Sequence, residues 1–337
     1  MVAGRWAAAA LCVLLLAGGC HEVTEYTDSG DFGAVILRTS DLSVVGYVAG
    51  MDGARSLVSM GGSRFLVGTS TGRVYEVDSE VLEIVRHQQV TAGSGAGIRR
   101  MVKSPSASTI YLLTGSGKIL EMDSETFGIV DDFTAGASPS DICRSPGSIP
   151  RIYVSDMEQG RVREVWTSDN HVGKVIEVPE MPVSLAGYLS APDVLVSAHD
   201  GQGGVNLVDI EAGGSISVLS GTSGPFSDVA VAGADTIICA GAPRWDADNG
   251  RLLMVKMKEV GPSVSSFTLE GHPTCVNVNP TPSIPFFYAA CADGDRTVVV
   301  ALNYLYGEVQ MTAELEGYPW AVSTHRNGEY LIVLTSM

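Results

Sequence analysis

The residues able to do chemistry are few, and their spacing does not suit it. Gly68-Thr69-Ser70-Thr71-Gly72 spells the G-x-S-x-G nucleophile elbow. That elbow needs a strand-to-helix turn that lifts the serine above an α/β sheet. Here the segment lies between two strand-like runs, so it reads as a turn. Gly93-Ser94-Gly95-Ala96-Gly97 is rich in glycine like a phosphate loop but lacks the lysine and the following helix. The histidines (His21, His87, His171, His199, His272 and His325) never pair at metal-ligand spacing, and no C-x-x-C-H haem motif occurs. No residue is assigned to catalysis, a cofactor or a metal on this basis.

Acidic turns are the next candidates: Asp156 with Glu158, Asp200, Asp246 with Asp248, and Asp293 with Asp295. The segment Asp246-Ala247-Asp248-Asn249-Gly250 offers oxygen ligands for calcium but lacks the third ligand and the distal glutamate of a calcium loop. Solvated turn chemistry accounts for these carboxylates at least as well.

A weak segment recurring seven times supplies the frame. The copies are AVILRTSDLSVV from Ala34, VYEVDSEVLEIV from Val74, ILEMDSETFGIV from Ile119, VREVWTSDNHVGKVIEV from Val162, VNLVDIEAGGSISVL from Val205, LLMVKMKEVGPSVSSF from Leu252 and VVVALNYLYGEVQMT from Val298. Their starts are 40, 45, 43, 43, 47 and 46 residues apart. Each alternates apolar with polar residues, turns at residues such as Asp78-Ser79, Asp123-Ser124 or Asp209, and alternates again, as a hairpin does. Between hairpins lies a second strand pair. Its first strand starts beside Pro139, Pro182, Pro225, Pro273 or Pro319, where a missing N–H is tolerated. Its second strand is more apolar, as in RIYVS from Arg151.

A β period in the forties predicts a propeller with four strands per blade. The chain opens with a hairpin (34–48) and closes with an inner pair (320–334). These halves complete one blade only by meeting, which removes two sheet edges. The fold expected is therefore all-β: a seven-bladed propeller of four-stranded antiparallel blades. Its last blade is closed by the N-terminal hairpin and the C-terminal strand pair.

The pattern of Gly, Pro, inner strand, a second strand near Tyr-Val, then Gly-Lys/Arg-Val and a Val-Asp turn resembles the YVTN-type, WD40-like propeller repeat. The nearest matches are AGASPSDICRSPGSIPRIYVSDMEQGRV from Ala135 and ILEMDSETFGIV from Ile119. The resemblance runs from about Gly33 to Thr335. It implies architecture far more than activity, because this fold serves many functions.

The first residues read as an export signal. An apolar run from Trp6 to Leu16, too short to span a bilayer, leads into Leu16-Ala17-Gly18-Gly19-Cys20. Small residues ahead of a cysteine resemble a bacterial lipobox, which implies lipidation of Cys20; an ordinary secretory signal with an incidental cysteine is the alternative. His21 in second place of the mature chain implies the outer membrane. The expected organisation is a signal peptide over 1–19, an acidic tether over 20–32 and the propeller over 33–337. Net charge is −17, which argues against nucleic acid as a partner.

Cys275 and Cys291 stand eight residues either side of Ser283. They face one another if the turn centres there, leaving a disulfide or two buried thiols as alternatives. Cys143 and Cys239 belong to non-adjacent blades and stay unpaired. Links feeding the inner strands ring the channel mouth with Arg99, Arg100, Ser138, Phe226, His272, Tyr318 and Trp320. Of these, His272, Tyr318, Trp320, Phe226 and Arg99 form the candidate binding face, aromatic residues being common anchors. Packing of Trp320 between blades is the competing role. The function expected is a monomeric, lipid-anchored envelope propeller that binds another envelope protein or a small ligand. The alternative is a propeller enzyme, a lactonase or a metal- or quinone-dependent oxidoreductase, working at the channel mouth.

Overall fold

The computed structural model describes residues 32–336 apart from 94, 96, 105–107, 146–148, 180, 189–190, 192–193, 201–203, 220–224, 242–248 and 259–260. Its strands, β1 to β28 in chain order, form seven four-stranded antiparallel sheets. No helix occurs among the described residues.

Six blades run consecutively along the chain. The seventh has the order β2-β1-β28-β27, built from β1 (Phe32–Arg38), β2 (Val44–Val48), β28 (Tyr330–Ser336) and β27 (Tyr318–His325). The ends of the chain are thus knitted together, with β1 and β28 in register from Phe32↔Ser336 to Arg38↔Tyr330. The other innermost strands are β3 (Ala54–Gly61), β7 (Ile98–Lys103), β11 (Pro139–Arg144), β15 (Pro182–Gly187), β19 (Phe226–Ala232) and β23 (His272–Val278). With β27 they form a closed ring, each touching the next.

There is no single core. Seven apolar clusters each fill one seam between successive blades. This explains why the second strand of each blade reads as an unbroken apolar run: both of its faces are covered. In RIYVS, Ile152 and Val154 enter one seam and Tyr153 the next. The outermost strands are largely open to solvent; Val130 and Ile216 there are 67% and 69% exposed.

The hairpin turns follow the sequence expectation. The Asp123 carboxylate accepts the Thr126 hydroxyl and amide (both 2.7 Å), which holds this acid below the usual carboxylate range. Asp78 and Asp209 accept the Glu80 and Ala212 amides in the same way. One feature was not expected. Leu42, Leu82 and Phe127, with φ of 56°, 57° and 62°, hold the left-handed region at equivalent turn positions. That conformation costs about 1–2 kcal/mol for such residues. Each side chain is planted in a seam, so burial offsets the strain.

Candidate functional site

The near mouth of the channel, where the innermost strands begin, is shaped by a repeated irregularity. In all seven innermost strands one residue is skipped in the pairing with the neighbouring strand: Arg55, Arg99, Ser140, Val183, Ser227, Thr274 and Trp320. These are β-bulges, which bend a strand and re-aim its side chains. Three of the bulged residues use their hydroxyls as staples. Ser140, Ser227 and Thr274 donate to the carbonyls of Pro182, Pro273 and Pro319 in the following blade. The prolines read as strand starters therefore also supply the acceptors that join blade to blade.

Bulged Trp320 and Arg55 meet across the closing seam. The Arg55 guanidinium lies 4.2 Å from the Trp320 ring centre, and Tyr318 packs on Trp320 with ring centres 5.0 Å apart. The indole N–H donates to the Ser336 hydroxyl at 3.0 Å. Trp320 is half-buried against the closing seam, so packing between blades is part of its role. Tyr318 stays 39% exposed, and Arg55 and Arg99 are exposed. His272, half-buried, begins β23. Phe226 belongs elsewhere: it is buried in the seam between the fourth and fifth blades. The mouth therefore gathers His272, Tyr318, Trp320 and Arg99, and loses Phe226 to packing.

One step deeper, the residues after the bulges are Ser56, Arg100, Asp141, Ser184, Asp228, Cys275 and Ala321. Arg100 bridges blades: its Nε lies 3.2 Å from Asp141 Oδ1 in the next blade and its Nη2 3.4 Å from Asp228 Oδ1, three blades on. The carboxylates are fixed from the other side. Asp141 accepts the Leu185 amide (2.8 Å), and Asp228 accepts the Ser184 hydroxyl (2.7 Å) and the Val276 amide (3.0 Å). Asp141 and then Asp228 hold the Arg100 guanidinium above its ordinary range, against burial. Burial raises the Asp141 carboxyl despite Arg100. It also pushes the Cys275 thiol up to about 12. Sequence reasoning placed Arg100 at the mouth but missed Asp141 and Asp228, whose recurrence at one repeat position was the available signal.

Several other candidates resolve into structure. Ser70 of Gly68-Thr69-Ser70-Thr71-Gly72 sits in the turn between β4 (Arg64–Thr69) and β5 (Arg73–Asp78), not in an elbow. Asp156 is buried and accepts the amides of Ala137 and Ser138. Asp293 pairs with Arg296, which also reaches Glu314 and Glu270. Residues 246–248 of the candidate calcium loop, and Cys20, lie outside the described residues. No group of three or more metal-binding side chains occurs among the described residues. Cys275 and Cys291 are both free thiols. The hairpin centres between Pro282 and Ser283 rather than on Ser283, so Cys275 faces Ala290, and with Thr274 bulged out Cys291 faces Pro273. The two sulfurs enter different seams.

No family model matches the chain, and no curated protein does either. Solved structures do. A chain of hydrazine synthase from Kuenenia stuttgartiensis superposes with a TM-score of 0.70 at 16% identity, covering 85% of this chain and 96% of that one. The structure of U3-55K gives a TM-score of 0.68 at 10% identity, covering 91% and 99%. The WD40 repeats of RRP9 give 0.68 at 11% identity, covering 92% and 98%. At such identities the likeness is one of fold. The chain is a seven-bladed β-propeller with WD40-repeat propellers among its structural neighbours.

Proposed function

We propose that this chain is a lipid-anchored cell-envelope propeller that binds a partner protein on the near mouth. The observation that carries the binding reading is the Arg55–Trp320–Tyr318 stack, an amphipathic aromatic and guanidinium cluster left partly open on a rigid ring. Aromatic and arginine side chains of this kind are the usual anchors of protein interfaces. WD40-repeat structures among the neighbours fit a scaffold role. The anchor rests on the lipobox-like Leu16-Ala17-Gly18-Gly19-Cys20, with His21 favouring the outer membrane.

Tyr318→Ala is expected to leave the melting temperature close to that of wild type, because the ring is exposed. It should weaken capture of an envelope partner by about 2 kcal/mol or more, some thirtyfold. Parallel melting and pull-down measurements check this. Normal capture by both Tyr318→Ala and His272→Ala would exclude this face.

Cys20→Ser is expected to stop incorporation of labelled fatty acid and to release the protein from the membrane fraction or leave an uncleaved precursor. Several acyl chains, at about 0.8 kcal/mol per buried methylene, make the difference between the two forms large. Equal labelling of the variant would rule out Cys20 as the lipid site.

A further inference from the structure

At the far mouth, where the innermost strands end, the structure brings together a serine and a histidine 266 residues apart in sequence. Ser59 Oγ lies 2.8 Å from His325 Nδ1, and His325 Nε2 lies 3.1 Å from Ser79 Oγ. The directions of these bonds follow from the acceptors. Ser79 donates its own proton to the Ser63 carbonyl (3.0 Å), so its oxygen is left to accept from Nε2–H. That tautomer leaves the lone pair of Nδ1 facing the Ser59 hydroxyl, which must then be the donor. A hydroxyl donating to an imidazole that a third group orients is the arrangement of an activated nucleophile.

The surroundings suit that role. The His325 ring is buried and held edge-on by Phe65, with centroids 5.7 Å apart. Asp78 and Arg326 are the charged groups beside it, and burial lowers its basicity, so it is neutral and able to accept a proton at pH 7. Ser59 is only half-buried. It lies beside a second bulge, at Met60, and lines an open cavity of about 390 Å³. The Lys103 ammonium donates to the Met60 carbonyl at 3.1 Å, one residue from the nucleophile, with further N–H bonds to give to a developing oxyanion. Val58, Met101, Val102 and Ile142 give the cavity an apolar wall, and Lys103 and Arg144 are its charged residues. No carboxylate lines it among the described residues, although the whole chain carries a net charge of −17.

We propose that Ser59 is the nucleophile of an acyl-transfer site at the far mouth, with His325 as its base, acting on small esters whose acyl group carries a negative charge. The Ser59 oxygen bonds to the acyl carbon while its proton passes to His325 Nδ1. The ester C–O bond breaks, and the leaving alcohol takes that proton. Water then hydrolyses the acyl-serine through the same histidine. This reaction is independent of the partner bound at the near mouth.

A fluorophosphonate probe followed by peptide mapping tests the nucleophile. Ser59 is expected to be the labelled serine, with its label lost in His325→Gln at unchanged protein concentration. Since His325 also ties two blades together, Ser59→Cys provides a variant that keeps the fold. Its thiol, paired with the imidazole, should be alkylated by iodoacetamide at pH 6 at least tenfold faster than Cys143 in the same cavity. Hydrolysis of mono-4-nitrophenyl succinate should exceed that of 4-nitrophenyl butyrate about tenfold, the difference expected of a charge-assisted contact. Lys103→Met with Arg144→Met should erase this preference. Absence of Ser59 labelling, or alkylation of Ser59→Cys no faster than Cys143, in protein that melts normally would overturn the proposal and leave the Ser59–His325–Ser79 chain as a tie across the seam. Labelling of Ser59 with no preference for succinate would overturn the substrate class.

Discussion

Removal of residues 32–48 is expected to abolish cooperative unfolding. The deletion takes away β1 and β2, and with them Val35 and Leu37 from one seam and Ala34, Ile36 and Val48 from the next. Burying one such side chain is worth about 1.5–3 kcal/mol for the larger ones. The five together approach 10 kcal/mol in order of magnitude, comparable with the whole stability of a typical domain. The loss is also topological. β28 would present seven backbone positions, Tyr330 to Ser336, formerly paired with β1. Such an open edge recruits other chains. Calorimetry and light scattering check the outcome: a broad, weak transition with aggregation is expected. A truncated protein that melts sharply at the wild-type temperature would show that the clasp does not hold the ring.

Arg100→Met is expected to cost about 3 kcal/mol at neutral pH. The guanidinium is the charge partner of both Asp141 and Asp228, whose side chains are 6% and 10% exposed. Deleting one partner of a buried ion pair costs about 3–5 kcal/mol, because the remaining charge is left uncompensated. The low end applies because 31% of the Arg100 side chain is open. The pH dependence has a definite sign. Burial already lifts Asp141 above its unfolded value, and losing Arg100 lifts it further. A carboxyl with a raised folded pKa binds its proton more tightly in the folded state. Its unfavourable contribution is present at neutral pH and disappears as pH falls through that folded pKa. The difference between variant and wild type should therefore shrink from pH 7 toward pH 4 in paired urea titrations. A difference that stays constant or grows on acidification would show that Arg100 does not compensate these acids.

Much of the fold is written in local patterns. The hairpin copies and the starting prolines predict blades and their order, and the unpaired halves at 34–48 and 320–334 predict the clasp. The structure has all three. What fails are readings that needed exact register. Placing the turn at Ser283 set Cys275 against Cys291, but the pairing of Val278 with Phe287 centres the turn half a residue earlier, which puts Cys275 against Ala290. A small shift of the turn centre re-pairs every residue along the hairpin, so a count outward from an assumed turn does not fix which side chains face one another. Phe226 was read as a mouth residue because it lies in a link feeding an inner strand, yet its ring enters a seam. The sites were less legible still. Arg100 and Asp228 are 128 residues apart, and Ser59 and His325 are 266 apart. Only closing the ring makes them neighbours, and spacing along the chain carries no trace of that.

The division of the interior into seven seams bears on how such a sequence can drift. An apolar residue in a seam answers only to the two blades that meet there, not to a template shared by all seven. The seam holding Phe287 and Leu302 accommodates them against Ala230, Ala232 and Ala240, while another is filled by Tyr153, Leu185, Leu195 and Ile210. A bulky substitution can thus be answered by a small one across the same seam, with the five blades beyond that pair untouched. Copies built this way diverge pair by pair around the circle. What they retain in common is the bulge and the spacing, which set the shape of a blade rather than what fills it.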